Sequence, residues 1–89
     1  MTAPIRLELI RRALTDALAP DSLDIEDQSH LHAGHAGARG GMGHFKVTIV
    51  ARQFAGLKPL QQHQLVYDAV GELMQTDIHA LIIDARPPA

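Results

Sequence analysis

Apolar positions recur with two different periods along the chain, and the order of these periods predicts the elements of the fold. Residues 3–18 and residues 59–74 repeat apolar side chains at the spacing of an α-helix. Residues 22–29, 44–51 and 78–85 either alternate or are continuously apolar, as β-strands are. The middle segment alternates, with an apolar face of Phe45, Val47 and Ile49 and a polar face of His44, Lys46 and Thr48. The sequence therefore predicts the order helix, strand, strand, helix, strand.

Each predicted helix has one apolar face. In the first helix this face comprises Leu7, Ile10, Leu14, Ala17 and Leu18. In the second it comprises Leu60, Val66, Val70, Leu73 and Met74. The three arginines at positions 6, 11 and 12 fall on other faces of the first helix, so we expect them to be solvated. Gly71 is a weak helix former, and it predicts a bend or a division of the second helix.

The predicted elements fit one layer of helices on one sheet. The first two strands are neighbours in sequence, so an antiparallel pair is the default. The second helix can act as a crossover that brings the last strand parallel to an earlier one. This last strand is apolar on both faces, which predicts a central or well-covered position. We therefore expect an α+β fold, with 89 residues in a single domain and helices on one face of a three-stranded sheet.

Composition excludes several kinds of chemistry. The chain has no cysteine, so it forms no disulfide, carries no thiol nucleophile and holds no iron–sulfur cluster through thiolates of its own. A formal net charge of −2 gives no general attraction to nucleic acid. The glycine-rich stretch GARGGMG lacks the residues of a phosphate-binding loop, and we find no sequence motif of an enzyme. No apolar run approaches the roughly 20 residues that span a bilayer, so we expect no membrane association. Because no secretory signal precedes the first helix, we expect a cytoplasmic protein.

Four of the six histidines lie in residues 30–45, in the sequence HLHAGHAGARGGMGHF. This connection is far longer than a hairpin turn, and loops of that length are usually functional or disordered. We expect residues 31–43 to be irregular and mobile, because glycine and alanine offer no apolar anchor. His30 and His32 alone could hold a divalent transition metal weakly, as a metal buffer would. His63 lies three residues from Leu60 and Val66, which predicts a structural position at the core margin.

Four motifs, in this order and spacing, carry a resemblance to the BolA family over nearly the whole chain. They are H-F-K-V at 44–47, F-x-G at 54–56, L-x-x-H-x-x-V-Y at 60–67 and I-H-A-L at 78–81. The resemblance implies a fold similar to a type II KH domain. Its element order would be αββ(α)αβ, with a short extra helix near the long one.

The resemblance also implies a partner and a cofactor. BolA-like proteins pair with monothiol glutaredoxins and can share a [2Fe–2S] cluster, to which glutaredoxin contributes a cysteine together with glutathione. Their own ligands are a histidine or cysteine between the first two strands and the histidine of the last strand. These correspond to His35 and His79, where the G-H-A context nine residues before the H-F pair selects His35. His32 competes with His35 because the H-A-G unit repeats. Imidazole does replace thiolate on one iron of some [2Fe–2S] centres.

We therefore expect a non-enzymatic adaptor in iron–sulfur trafficking or iron signalling. The alternative that the resemblance allows is a KH-like, DNA-binding transcriptional regulator. Gln62 and Gln64 stand where family members commonly carry arginine, which argues against a role of this helix in phosphate binding. Other basic residues keep the alternative open: Arg6, Arg11, Arg12, Lys46 and Lys58.

Overall fold

The computed structural model of the chain describes residues 3–28 and 43–89. Within these residues the predicted order of elements is confirmed, and the strand boundaries agree with the prediction to within two residues. A short 3₁₀ turn, Arg52–Phe54, precedes the second helix. The other elements are α1 (Ala3–Leu18), β1 (Ser22–Asp27), β2 (Gly43–Val50), α2 (Pro59–Val70), α3 (Leu73–Thr76) and β3 (Ile78–Arg86).

Gly71 divides the second predicted helix into α2 and α3. Its φ of 52° and ψ of −123° lie in a region that residues with a side chain rarely adopt. The Gly71 amide still donates to the Tyr67 carbonyl at 2.9 Å, so α2 ends with a hydrogen bond before the chain turns. The predicted division is confirmed. The short extra element of the implied αββ(α)αβ order precedes the long helix, where the structure has the 3₁₀ turn Arg52–Phe54.

β2 is the central strand of the sheet, whose order is β1–β2–β3. β1 pairs antiparallel with β2, and β3 pairs parallel with it, as the sequence predicted. The prediction of a central or well-covered β3 is wrong, because β3 is an edge strand and Ile82 on it is 52% exposed. An apolar run indicates that a strand can be buried on both faces, but it does not determine how many neighbours the strand has.

The core lies between the two longer helices and one face of the sheet, so the helices do pack on one face. On β2 the inward side chains alternate as predicted, at positions 45, 47 and 49. Burial of one Val, Leu, Ile or Phe side chain contributes about 1.5–3 kcal/mol to the free energy of folding. The largest fully buried side chains are those of Phe45, Phe54, Ile10, Leu14, Ile49, Ile78, Val47 and Val66.

The buried faces of the helices differ from the prediction at two apolar positions. Ala17 is exposed, because the buried stripe of α1 follows Ile10, Leu14 and Leu18 and leaves Ala17 about 100° away from Leu18 around the helix. Leu60 is 80% exposed. Two steps of three residues separate Leu60 from Val66, and each falls about 60° short of a full turn, so the two side chains lie on different faces.

Two further predictions concern regions that are only partly described. No helix within residues 3–28 and 43–89 is long and apolar enough to cross a membrane. The prediction that residues 31–43 are irregular falls outside the described residues except at Gly43, which is the first residue of β2.

Candidate metal-ligating site

The candidate site lies where β2 and β3 begin side by side. Gly43 pairs with Ile78 and His44 pairs with Ala80, so β3 carries one extra residue at this point. The extra residue is His79, and such a β-bulge redirects the side chains around it. His79, the ligand that the sequence predicted, therefore lies at the one irregularity in the pairing of β3 with β2.

His79 is exposed, and its ring lies against that of His44. The two ring centroids are 5.0 Å apart and the ring planes are inclined by 50°. His44 itself is only 6% exposed. The site therefore contains one imidazole that is accessible to a partner and a second that is buried beside it.

The backbone immediately before His79 is firmly held. Ile78 is fully buried in the core. The carbonyl of Asp77 accepts a hydrogen bond from the Gly43 amide at 2.9 Å, which joins the start of β3 to the start of β2. The Asp77 carboxylate accepts a hydrogen bond from the Thr76 hydroxyl at 2.6 Å and lies 3.5 Å from the Arg6 Nε atom. His79 is thus an accessible side chain on a fixed backbone.

The segment that contains His30, His32 and His35 starts and ends at this site. The Gln28 amide donates to the His44 carbonyl at 2.7 Å, and Gly43 is bonded to Asp77. His35 follows Gln28 by seven residues and precedes Gly43 by eight. Seven extended residues span up to about 25 Å, so the chain is long enough for either His35 or His32 to approach His79. These three histidines lie outside the described residues, and the choice of His35 over His32 stays a prediction.

The donor set limits what the described residues can do chemically. Residues 3–28 and 43–89 contain no group of three or more histidine, cysteine, aspartate or glutamate side chains able to hold a metal ion. A single accessible imidazole suits one coordination position of a centre whose other ligands come from elsewhere. Imidazole nitrogen is a ligand that iron of a [2Fe–2S] centre accepts, so His79 fits the cluster that the family resemblance implies.

His63 lies apart in sequence and role from this site. It is half-buried in the middle of α2, three residues before the buried Val66. That position agrees with the prediction of a structural histidine at the core margin.

Sequence reasoning missed two contributors to the site. The alternation of its strand placed His44 on the polar face, yet it is buried beside the ring of His79 on the neighbouring strand. Arg6 was expected to be solvated, yet its side chain is 15% exposed and paired with Asp77. No spacing in the sequence connects residues 6 and 77, because their contact joins α1 to the residue between α3 and β3.

Comparison with known proteins assigns the chain to a family. The family model described as BolA-like protein matches residues 14–89. The chain belongs to the BolA family. BolA-like protein 1 of Homo sapiens is 44% identical over 80 residues, which cover 90% of this chain and 56% of the human protein. The chain therefore spans little more than half the length of that BolA relative.

Two further BolA relatives bear on fold and function. The structure is similar to the BolA domain of SufE1 from Arabidopsis thaliana, with a TM-score of 0.81, 33% identity and coverage of 99% of this chain and 96% of the other. A Vibrio cholerae protein named DNA-binding transcriptional regulator BolA is 37% identical over 76 residues, covering 85% of this chain and 69% of that protein.

Proposed function

We propose that the chain is a non-enzymatic adaptor that pairs with a monothiol glutaredoxin and shares a [2Fe–2S] cluster through histidine ligands, in iron–sulfur trafficking or iron signalling. The observation that carries the proposal is the position of His79. Its exposed imidazole lies on a fixed strand start, beside both ends of a segment that holds three more histidines.

The protein's own part in cluster sharing is to supply imidazole ligands. His79 would take one position on an iron and His35 the second, with His32 as the competitor for that position. A chain without cysteine depends on a partner for thiolates, which are the cysteine of glutaredoxin and the thiol of glutathione in this proposal. Ligation also requires deprotonated imidazole, so protons and iron compete for the same nitrogen.

The test mixes the protein with cluster-loaded monothiol glutaredoxin and records visible absorption and circular dichroism. We expect a new spectrum that differs from the sum of the separate proteins and that does not form with His79→Ala. Glutaredoxin without cluster serves as the control for binding that involves no ligand exchange. A spectrum equal to the sum at every ratio argues against the proposal. Binding of a divalent metal to the free protein, with no such spectrum, would favour the metal-buffer alternative.

A DNA-binding regulator is the second candidate, and the name of the Vibrio cholerae relative favours it. Three of the basic side chains that could contact a phosphate backbone are paired with carboxylates in the described structure. The Nε atoms of Arg11 and Arg12 lie 3.9 and 3.2 Å from the Glu8 carboxylate, and Arg6 pairs with Asp77. Phosphate contacts would have to compete with these carboxylates.

The glutamines of α2 are used within the protein. The Gln62 side-chain amide donates to the carbonyls of Phe54 and Leu57, at 3.1 and 3.3 Å, and so joins α2 to the turn before it. Gln64 donates to Asp68 at 2.9 Å. We therefore expect only weak DNA binding at physiological salt in a mobility-shift titration. Sequence-selective binding below micromolar concentration would reverse the order of the two candidates.

A further inference from the structure

A largely buried ion pair lies at the residue that precedes β3. The Arg6 Nε atom is 3.5 Å from an Asp77 carboxylate oxygen, and the two side chains are only 15% and 6% exposed. The Arg6 Nε atom is itself buried. Ion pairs of this kind are unlike exposed ones, because removal of one partner leaves the other as an uncompensated charge inside the protein.

Asp77 connects this ion pair to both strands of the site. Its second carboxylate oxygen accepts the Thr76 hydroxyl at 2.6 Å, so hydrogen bonding and charge both fix the side chain. Its main-chain carbonyl accepts the Gly43 amide at 2.9 Å, and its amide donates to the Leu73 carbonyl at 2.9 Å. Asp77 therefore holds the end of α3, the first residue of β2 and the approach to β3 at one point.

His79 follows Asp77 by two residues, with the fully buried Ile78 between them. The β-bulge lies at this place, and a bulge disrupts the regular ladder of hydrogen bonds. The strand start thus depends on other contacts to fix its backbone. Arg6 provides such a contact from α1, an element distant in sequence.

We propose that Arg6 and Asp77 are positioning residues for the His79 ligand, acting by fixing the backbone from which its imidazole projects. This inference rests on the proposed function. It assigns to α1 a role in the site although no residue of α1 is a candidate ligand. Groups that orient a metal ligand without touching the metal commonly affect affinity strongly when they are replaced.

The variants isolate the charge of Arg6 from its size. Arg6→Met keeps a long apolar side chain but leaves the Asp77 carboxylate without its cation. Arg6→Lys restores the charge. Arg86→Met is the matched control, because Arg86 pairs with Asp84 at 3.0 Å on the same strand but is 69% exposed and lies at the far end of β3.

The first measurement is amide hydrogen exchange by NMR on the isolated protein, at a temperature where every variant is folded. We expect the Gly43 amide to exchange about tenfold faster in Arg6→Met than in the wild type, with Val47 at the strand centre unchanged. Arg6→Lys should recover most of the protection, and Arg86→Met should behave as the wild type. Equal acceleration at Gly43 and Val47 would mean general destabilisation, and it would overturn the positioning role.

The second measurement is a titration with cluster-loaded glutaredoxin, followed by visible circular dichroism. We expect Arg6→Met to require about tenfold more protein for half-formation of the shared spectrum, and Arg6→Lys to recover most of the loss. Should Arg6→Met fail to fold, Asp77→Asn is measured in the same way with the same expectation. If His79→Ala loses the spectrum but Arg6→Met or Asp77→Asn behaves as the wild type in this titration, the inference is overturned and the proposed function stands. If His79→Ala instead matches the wild type, the proposed function itself fails, and the ligand-positioning role fails with it.

Discussion

The imidazole rings of His44 and His79 lie 5.0 Å apart at the start of two parallel strands, one buried and the other exposed. The contact joins the candidate ligand to the interior of the protein. It also distinguishes two histidines that each open a strand, because only His79 is accessible. In the proposed function, His79 would meet the partner and His44 would support its ring.

The first prediction concerns His44→Ala. Loss of the neighbouring ring should shift the NMR signals of the His79 imidazole and lower the free energy of unfolding by about 1–3 kcal/mol, because a buried side chain is truncated. The shared cluster should still form with glutaredoxin, with an altered circular dichroism spectrum. Complete loss of the cluster in a variant that remains folded would identify His44 as a ligand and contradict this assignment. His63→Ala, which should leave the His79 signals in place, is the control.

The second prediction contrasts His79→Ala with His63→Ala. His79 is exposed, so its truncation should change the free energy of unfolding by less than about 0.5 kcal/mol while it removes the heteromeric cluster spectrum. His63 is half-buried on α2, so its truncation should lower stability by about 1 kcal/mol and leave the cluster spectrum unchanged. Urea unfolding and visible circular dichroism on the same preparations measure the two effects. The reverse pattern would show that the two histidines have been assigned the wrong roles.

The third prediction addresses the second ligand. His35→Ala should alter the shared cluster spectrum strongly, and His32→Ala should alter it less, because the G-H-A context selects His35. Both variants should have the stability of the wild type. A strong effect of His32→Ala with none of His35→Ala would exchange the two roles. If the double variant also retained the wild-type spectrum, the ligand would lie outside this segment.

The fourth prediction concerns the end of α1. Ala19 has a φ of 43°, a left-handed conformation that favours glycine, and its amide donates to the Thr15 carbonyl at 3.0 Å. Ala19→Gly should therefore stabilise the protein by about 0.5–1 kcal/mol. Ala17→Gly makes the same chemical change two residues earlier, at an exposed helical position, and should destabilise by about 1 kcal/mol. Urea midpoints of the two variants on the same side of the wild-type value would refute this explanation.

Periodicity predicted the parts of the fold that depend on neighbours in sequence. The alternation at Phe45, Val47 and Ile49 identified the buried face of β2, and Gly71 identified the division of the second helix. The same reasoning was wrong about Leu60, because it joined steps of three residues without adding the rotation between them. It was wrong about the position of β3, because hydropathy along a strand carries no information about the strand order of the sheet.

The candidate site was predictable only in part for the same physical reason. His79 is carried by a local motif, I-H-A-L, that the sequence displays directly. The burial of His44 and the Arg6–Asp77 pair arise from contacts between elements that are far apart along the chain. Polarity suggested solvent for both residues, and tertiary packing placed both inside.

The extra residue in β3 has a consequence for how the I-H-A-L motif is spaced. Ile78 and Leu81 both pack toward the core, although side chains three positions apart on a regular strand project to opposite faces. The bulge at His79 allows both side chains to face the core, and His79 is the residue of β3 that has no pairing partner in this register. Shortening the motif by one residue would bring Ile78 and Leu81 into phase and leave every later side chain of β3 in its place. We therefore expect the sheet to tolerate that deletion, and the strand to lose the extra position that His79 occupies.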